Sequence, residues 1–231
     1  MKITTLASGS SGNCYLLEDS GSMLFLEAGI SLKRVQESIG FRATEAAGCL
    51  VSHNHGDHAK YVKDFAKAGI DCYMSAGTAE AITVTGHRIH NIKSEQQFAV
   101  DEWRVVPCDA VHDAAEPLCF LIGHSDSKIL FATDTSYIKY QFRGLTHIMI
   151  EANFDREILT ENIDSGQVER GRKTRLIESH MSIDRVVDFL TQVDRSKLRE
   201  IHLLHLSNDN SNAAEFKRQI QRLTGVPVYV A

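Results

Sequence analysis

Three prolines in 231 residues, and no stretch rich in proline and glycine, leave no hinge that would mark a domain boundary. Internal repeats and low-complexity segments are missing too. We expect one domain over residues 1–231, long enough to bury a sizeable core. No apolar run reaches the roughly 20 residues that a membrane helix needs. Met1-Lys2-Ile3-Thr4-Thr5-Leu6 is too short for a secretory signal, and Ser8-Gly9-Ser10-Ser11-Gly12 interrupts it at once. Positive charge is not in excess. Lys and Arg total 25 against 30 Asp and Glu, for a net charge of −5. That excludes a globally basic nucleic-acid binder but leaves a local cationic site open. The five cysteines, at 14, 49, 72, 108 and 119, are odd in number and none has metal-knuckle spacing. They read as reduced, buried small hydrophobes of a cytoplasmic protein.

What the chain does have is histidine. There are eleven, and His53, His55 and His58 fall within six positions.

The first half reads mainly as strands and turns, with strand-like runs at 3–6, 14–18 and 23–27 separated by Gly/Ser turns. Leu32, Val35 and Ile39 have helical spacing, and Gly40 ends the run. Residues 48–52 form a short apolar run that suits a buried strand. Helices are expected over 59–68 and near 76–84, and strands over 97–106, 118–122, 128–132 and 146–150. In the last third Ser182 can cap a helix carrying Ile183, Val186, Val187, Leu190 and Val193 on one face. A strand over 201–206, a helix over 213–223 and a strand over 226–230 follow. The pattern predicts an α/β protein of two similar halves, with two sheets face to face and helices outside.

The most informative segment is Ser52-His53-Asn54-His55-Gly56-Asp57-His58. Alternation puts His53 and His55 on one side of an extended stretch. Asp57 and His58 follow on the turn into a helix, and Gly56 allows the tight fold between the pairs. Imidazoles and a carboxylate suit Zn²⁺ and also accept Mn²⁺ or Fe²⁺. A purely structural zinc would usually be closed by cysteines. Further ligands must come from strand ends. The candidates are His112 in Val111-His112-Asp113, Asp134 in Thr133-Asp134-Thr135, and His205 after Ile201-His202-Leu203-Leu204. With the cluster they fit a two-metal site. His87, His90, His124, His147 and His202 have no partner pattern and read as structural or surface residues.

This order of motifs resembles the metallo-β-lactamase superfamily over essentially the whole chain. The matching residues are Glu27, His53-x-His55-x-Asp57-His58, His112, Asp134 and His205. The resemblance implies a four-layer αββα sandwich with the site at one edge. It implies one metal on His53, His55 and His112, another on Asp57, His58 and His205, with Asp134 and a nucleophilic hydroxide bridging them. The early strand usually ends in Asp, whereas here Leu26-Glu27-Ala28-Gly29 carries the longer Glu. That acid normally orients ligands.

Two finer resemblances follow. Leu6-Ala7-Ser8-Gly9-Ser10-Ser11-Gly12-Asn13-Cys14-Tyr15 is similar to the opening of the YycJ/WalJ-type branch, and the whole chain resembles hydrolases of that type carried by phages and prophages of Gram-positive bacteria. Ile150-Glu151-Ala152-Asn153-Phe154, Ser179-His180-Met181-Ser182 and Leu204-His205-Leu206-Ser207 resemble pieces of the tRNase Z branch. They imply that Glu151 orients His180 and raises its pKa, so that a protonated His180 can serve a phosphoryl oxygen or a leaving alkoxide. Asp57, His180 and Glu151 are therefore the candidate catalytic residues.

Two metals clamp the attacking and leaving oxygens, which suits phosphodiesters. Residues 169–175, Glu-Arg-Gly-Arg-Lys-Thr-Arg, read either as a phosphate-holding loop or as a solvated one. The Gly/Ser loop 8–13 is expected to line the site and lacks the ending of a P-loop. The expectation is a metal-dependent phosphodiesterase or nuclease for DNA, RNA or a nucleotide. The alternatives are a thioesterase or lactonase of the same fold and a catalytically inactive binding module. A nucleic-acid footprint would come from loops or from the second subunit of a homodimer.

Overall fold

The computed structural model describes residues 1–167 and 170–231, and gives the backbone alone at 170–173. It forms two compact units, Met1–Asp109 with Ala114–Ser127, and Ala110–Asp113 with Lys128–Ala231. The class is α/β with two mixed sheets, as the sequence pattern predicts.

The first unit opens with an antiparallel meander of β1 (Lys2–Ala7), β2 (Cys14–Asp19) and β3 (Ser22–Leu26). Ser20 and Gly21 turn the chain between β2 and β3 with φ of 51° and 85°, the double positive φ of a twist-matched two-residue hairpin. Helix α1 (Leu32–Ser38) then leads to β4 (Gly48–Leu50), which lies parallel to β3. Short helices α2 (Gly56–Ala59) and α3 (Val62–Lys67) lead to β5 (Cys72–Ser75), and α4 (Ala76–Ala81) to β6 (Ile89–Ile92). Each crossover leaves a parallel neighbour, giving the order β1-β2-β3-β4-β5-β6. Leu16, Phe25, Cys49 and Met74 pack with Val35, Val62 and Phe65 from the helices. Tyr15, Leu17, Leu24, Leu26 and Leu50, on the alternate positions, are equally buried. A sheet covered on both faces explains why these strands read as unbroken apolar runs.

The helix expected over 59–68 is broken at Lys60-Tyr61 into α2 and α3. The single strand expected over 97–106 is a hairpin. β7 (Phe98–Val100) and β8 (Trp103–Asp109) pair through Val100 and Trp103, with Asp101 at φ 52° in the turn. No glycine or proline marks this turn, so the apolar residues on either side merge into one pattern. The buried Trp103 fixes it by donating from Nε1 to Ser22 Oγ at 2.8 Å. β9 (Leu118–His124) completes an antiparallel ribbon with β8.

The second unit is a parallel run of β10 (Ser127–Ala132), β11 (His147–Glu151), β12 (Glu200–Leu204) and β13 (Val228–Val230). Residues 133–146 cross from β10 to β11 without regular secondary structure. Among the described residues three helices separate β11 from β12: α5 (Arg156–Asp164), α6 (Arg170–Ser179) and α7 (Ile183–Gln192). α5 has no counterpart in the sequence reading. Asp155 caps it, accepting from Glu157 N at 2.7 Å and Ile158 N at 3.2 Å, and it buries only Leu159 and Ile163, too few for a clear stripe. α7 has the expected cap, Ser182, and buries Ile183, Val186 and Leu190. α8 (Ala213–Thr224) joins β12 to β13 and ends at Gly225, whose φ of 73° suits glycine.

The cationic stretch 169–175 departs from its expected form. Glu169 and the side chains of 170–173 lie outside the described residues, but from Arg170 the backbone is helical. Arg, Lys, Leu, Ile and Glu are adequate helix formers, and they outweigh the loop reading that charge density alone suggested. All five cysteines are free and buried. Among the described residues no helix is long and apolar enough to cross a membrane.

His147, buried at the start of β11, yields a stability prediction. Its Nδ1 faces the Thr146 hydroxyl at 2.7 Å. Burial outweighs the attraction of the nearby Glu200 carboxylate and lowers its pKa to about 4. An unfolded histidine titrates near ~6.5. Between these values the unfolded chain binds a proton that the folded chain refuses, so stability falls as pH drops from about 6.5 to about 4. His147→Asn should flatten that part of the urea-denaturation profile. An unchanged slope would show that His147 titrates normally in the folded chain.

Candidate metal centre and acid–base pair

The first unit gathers its candidate ligands at the C-terminal ends of β3 and β4. After β4, His53 is buried, with Nδ1 at 2.9 Å from Ser52 Oγ. The His53 ring lies 4.7 Å from that of His55 and 4.3 Å from that of His58, centre to centre. His58 Nε2 is 3.3 Å from Asp57 Oδ2. All four residues of the HxHxDH segment therefore converge, His53 and His55 just before α2 and Asp57 and His58 on it.

Glu27 ends β3 on a left-handed backbone, at φ 68°, and is wholly buried. Its carboxylate accepts from Ser52 N at 3.3 Å and stands 3.5 Å from His58 Nδ1. Burial pushes its pKa up, against the opposing pull of His58 and Ser52. The Glu27 side chain thus reaches the His58 imidazole.

Asn13 is the residue that sequence reasoning left inside a Gly/Ser loop. It is buried, and its amide nitrogen lies 3.0 Å from His58 Nε2 and 3.3 Å from Asp57 Oδ2. Its backbone donates to Asp57 O at 2.7 Å and accepts from Gly29 N at 2.9 Å. Gly12, at φ 144°, shapes the approach. An asparagine after serine and glycine is the signal that could have found it.

The second unit gathers its own set, also at strand ends. Asp134 follows β10 at φ 41° and His205 follows β12 at φ 52°. A non-glycine residue in this region costs about 1–3 kcal/mol, and such strain collects at functional sites. His205 Nδ1 is 3.1 Å from Asp134 Oδ1 and 3.1 Å from Glu151 Oε1. His112 Nε2 is 3.6 Å from Asp134 Oδ2, and its Nδ1 donates to Ser179 O at 2.7 Å. Burial lowers the His112 pKa despite Asp134, favouring the neutral ring that a metal requires. Asn153, to which the sequence motif assigned no role, donates to His205 O at 2.8 Å.

Glu151, the last residue of β11, is fully buried and faces His180 Nδ1 at 2.6 Å. Its other oxygen accepts from Thr135 N at 3.1 Å and Met181 N at 3.0 Å. Burial alone would raise the Glu151 pKa, but the charge of His180 and the side-chain hydrogen bonds with His180 and His205 hold it below the ordinary value. Burial would likewise lower His180, yet the Glu151 carboxylate raises it above the ordinary value. The ligand-capable atoms of Asp134, Glu151, His180 and His205 lie within 4.8 Å of one another. Convergent imidazole nitrogens and carboxylate oxygens are the donors that suit a divalent cation.

The five histidines set aside as structural stay apart from these clusters where they are described. His90 pairs with Asp71 at 2.7 Å, His124 with Asp19 at 3.0 Å, and His202 with Glu200 at 3.1 Å.

Residues 27–203 match the family model described as beta-lactamase superfamily domain. The exodeoxyribonuclease WalJ of Streptococcus pneumoniae is 28% identical, with 91% of this chain and 83% of the relative covered. The exodeoxyribonuclease YycJ of Bacillus anthracis is 27% identical, over 91% of this chain and 84% of the relative. Among solved structures, the metallo-β-lactamase fold protein YhfI of Bacillus subtilis superimposes with a TM-score of 0.76 at 14% identity, covering 99% of this chain and 95% of its own. The short form of human tRNase Z gives a TM-score of 0.67 at 15% identity, covering 100% and 96%. These two likenesses establish the fold.

The packing around Asn13 and Asp57 is testable at Gly29. A Cβ there would lie 1.8 Å from Asp57 O and 2.6 Å from Asn13 N, both backbone atoms. Gly29→Ala should cost at least about 1–3 kcal/mol in urea denaturation, the range for overpacking. Wild-type stability in this variant would mean that the loop is not seated on Asp57 as described.

Proposed function

Because the chain belongs to the beta-lactamase superfamily, we propose that it is a metal-dependent phosphodiesterase or nuclease acting on DNA, RNA or a nucleotide. The observation that carries this reading is the Glu151–His180 pair, 2.6 Å apart among candidate metal ligands. The exodeoxyribonuclease names of the two bacterial relatives support it.

Two divalent cations, zinc or manganese, would be held by His53, His55, Asp57, His58, His112, Asp134 and His205. When bound they would supply charge to polarise a phosphoryl oxygen and lower the pKa of water. The remaining chemistry belongs to the side chains. Glu27 turns His58, through Nδ1, so that Nε2 points away from the carboxylate. Asn13 holds the side chains of Asp57 and His58 together. Glu151 holds His180 through Nδ1 and raises its pKa, shifting the balance towards the imidazolium form. That leaves the Nε2 proton for the leaving oxygen. An alkoxide is a poor leaving group and needs this proton, whereas a thiolate does not, so the pair favours phosphodiesters over thioesters. Glu151 holds its partner in place and moves no proton itself.

We expect the protein reconstituted with Zn²⁺ or Mn²⁺ to hydrolyse bis-p-nitrophenyl phosphate and oligonucleotides, and not a thioester or a β-lactam. Turnover of only the thioester or the lactam would overturn the phosphodiesterase reading. His180→Ala should lower kcat by about 10²–10⁴-fold, the usual span for a general acid, with metal content unchanged. Undiminished activity with metals in place would remove His180 from the mechanism. Asp134→Ala should lose metal by elemental analysis, and full metal content would refute its assignment as a ligand.

A further inference from the structure

Within the second unit, residues 137–143 and α7 enclose a cavity of about 540 Å³ that the reading above does not use. Its chemistry is mixed in a particular way. Tyr137 is 48% exposed, and Tyr140 lies 6.2 Å from Phe142, ring to ring. Lys139 Nζ sits 5.5 Å above the Tyr140 ring, and Arg143 is exposed. Arg185 also lines the space, against Asp188 and Asp194. Asp194 is engaged locally, accepting from Ser196 N at 3.0 Å.

The cavity is tied by short covalent and hydrogen-bonded links to the acid–base pair. Its loop starts three residues after Asp134, and α7 starts three residues after His180. Arg185 Nη1 donates to Ser136 O at 2.7 Å and to Ile177 O at 3.3 Å, pinning the head of the loop to the end of α6 just before His180. A crossover as long as residues 133–146, without secondary structure, is uncommon in a compact protein and is usually functional.

We propose that this cleft binds a nucleotide of single-stranded nucleic acid flanking the scissile phosphodiester. The inference rests on the phosphodiesterase reading for its position in the reaction, but not for its binding chemistry. An exposed aromatic ring such as Tyr137 takes a base face to face only when that base is unstacked, which a duplex does not offer. Lys139 and Arg143 supply the cations for the adjoining phosphate. Asp188 provides an acceptor for an exocyclic amine of the base. The cavity has room for one nucleotide rather than a helical groove.

The test is fluorescence anisotropy with a labelled oligodeoxycytidylate, on metal-free and metal-loaded full-length protein, beside a duplex of equal length. Wild type should bind the single strand at least about tenfold more tightly than the duplex. Tyr137→Ala should weaken single-strand binding by roughly tenfold, the loss of one base–aromatic stack, and Tyr137→Trp should restore it. Arg143→Glu should weaken binding and lower the slope of log affinity against log salt by about one or more. Unchanged binding in both Tyr137→Ala and Arg143→Glu, or equal affinity for duplex and single strand, overturns the cleft. Phosphodiester turnover separates the two readings. Turnover with indifferent cleft variants removes the cleft and leaves the hydrolase. Tyr137-dependent oligonucleotide binding without turnover removes the hydrolase and leaves the cleft.

Discussion

A carboxylate with no solvent exposure, at the end of β11, holds the chemistry of the second unit in place. Glu151 accepts from the backbone amides of Thr135 and Met181 with one oxygen, and faces His180 and His205 with the other. Those partners come from the loop after β10, the end of α6 and the end of β12. A buried charge persists only when its partners are in place, and breaking such an arrangement costs about 3–5 kcal/mol. The three segments therefore cannot move independently without leaving that charge uncompensated. The histidines also shift the titration: His180 and His205 hold the Glu151 pKa below its ordinary value, and Glu151 raises that of His180, each against the effect of burial.

The first unit uses a related device with a different balance. Glu27 is as buried as Glu151, but it has fewer and longer contacts, and burial prevails to raise its pKa. An asparagine accompanies each acid, Asn13 in one unit and Asn153 in the other. In both units the strand ends carry residues in left-handed backbone: Glu27, Asp134 and His205. A strand that continued straight would carry the next side chain to the opposite face. Left-handed φ turns the chain at that point, and strain of this kind is sustained only where the surroundings fix it.

Much of this could be read in the chain. Apolar runs ending in His, Asp or Glu located the ends of β3, β4, β10, β11 and β12, because a strand buried on both faces is mostly apolar along its length. Ser182 and Gly40 marked helix ends through chemistry that acts within a few residues. The misreadings share a cause. The Asp101 turn of the β7–β8 hairpin has no glycine, α5 buries too few residues to show a stripe, and α6 is so rich in cations that its helix-forming residues were masked.

The sequence by itself carried the kinds of candidate ligand and their positions after apolar runs, and a resemblance to the tRNase Z branch implied the pairing of Glu151 with His180. Tertiary structure decided what spacing does not encode. It placed the Asn13 amide against Asp57 and His58, 44 and 45 positions away in the chain. It aimed two backbone amides at Glu151 and set residues 137–143 beside α7. Hydrogen bonds and cavities of this sort depend on where distant segments come to rest, and no local periodicity carries that information.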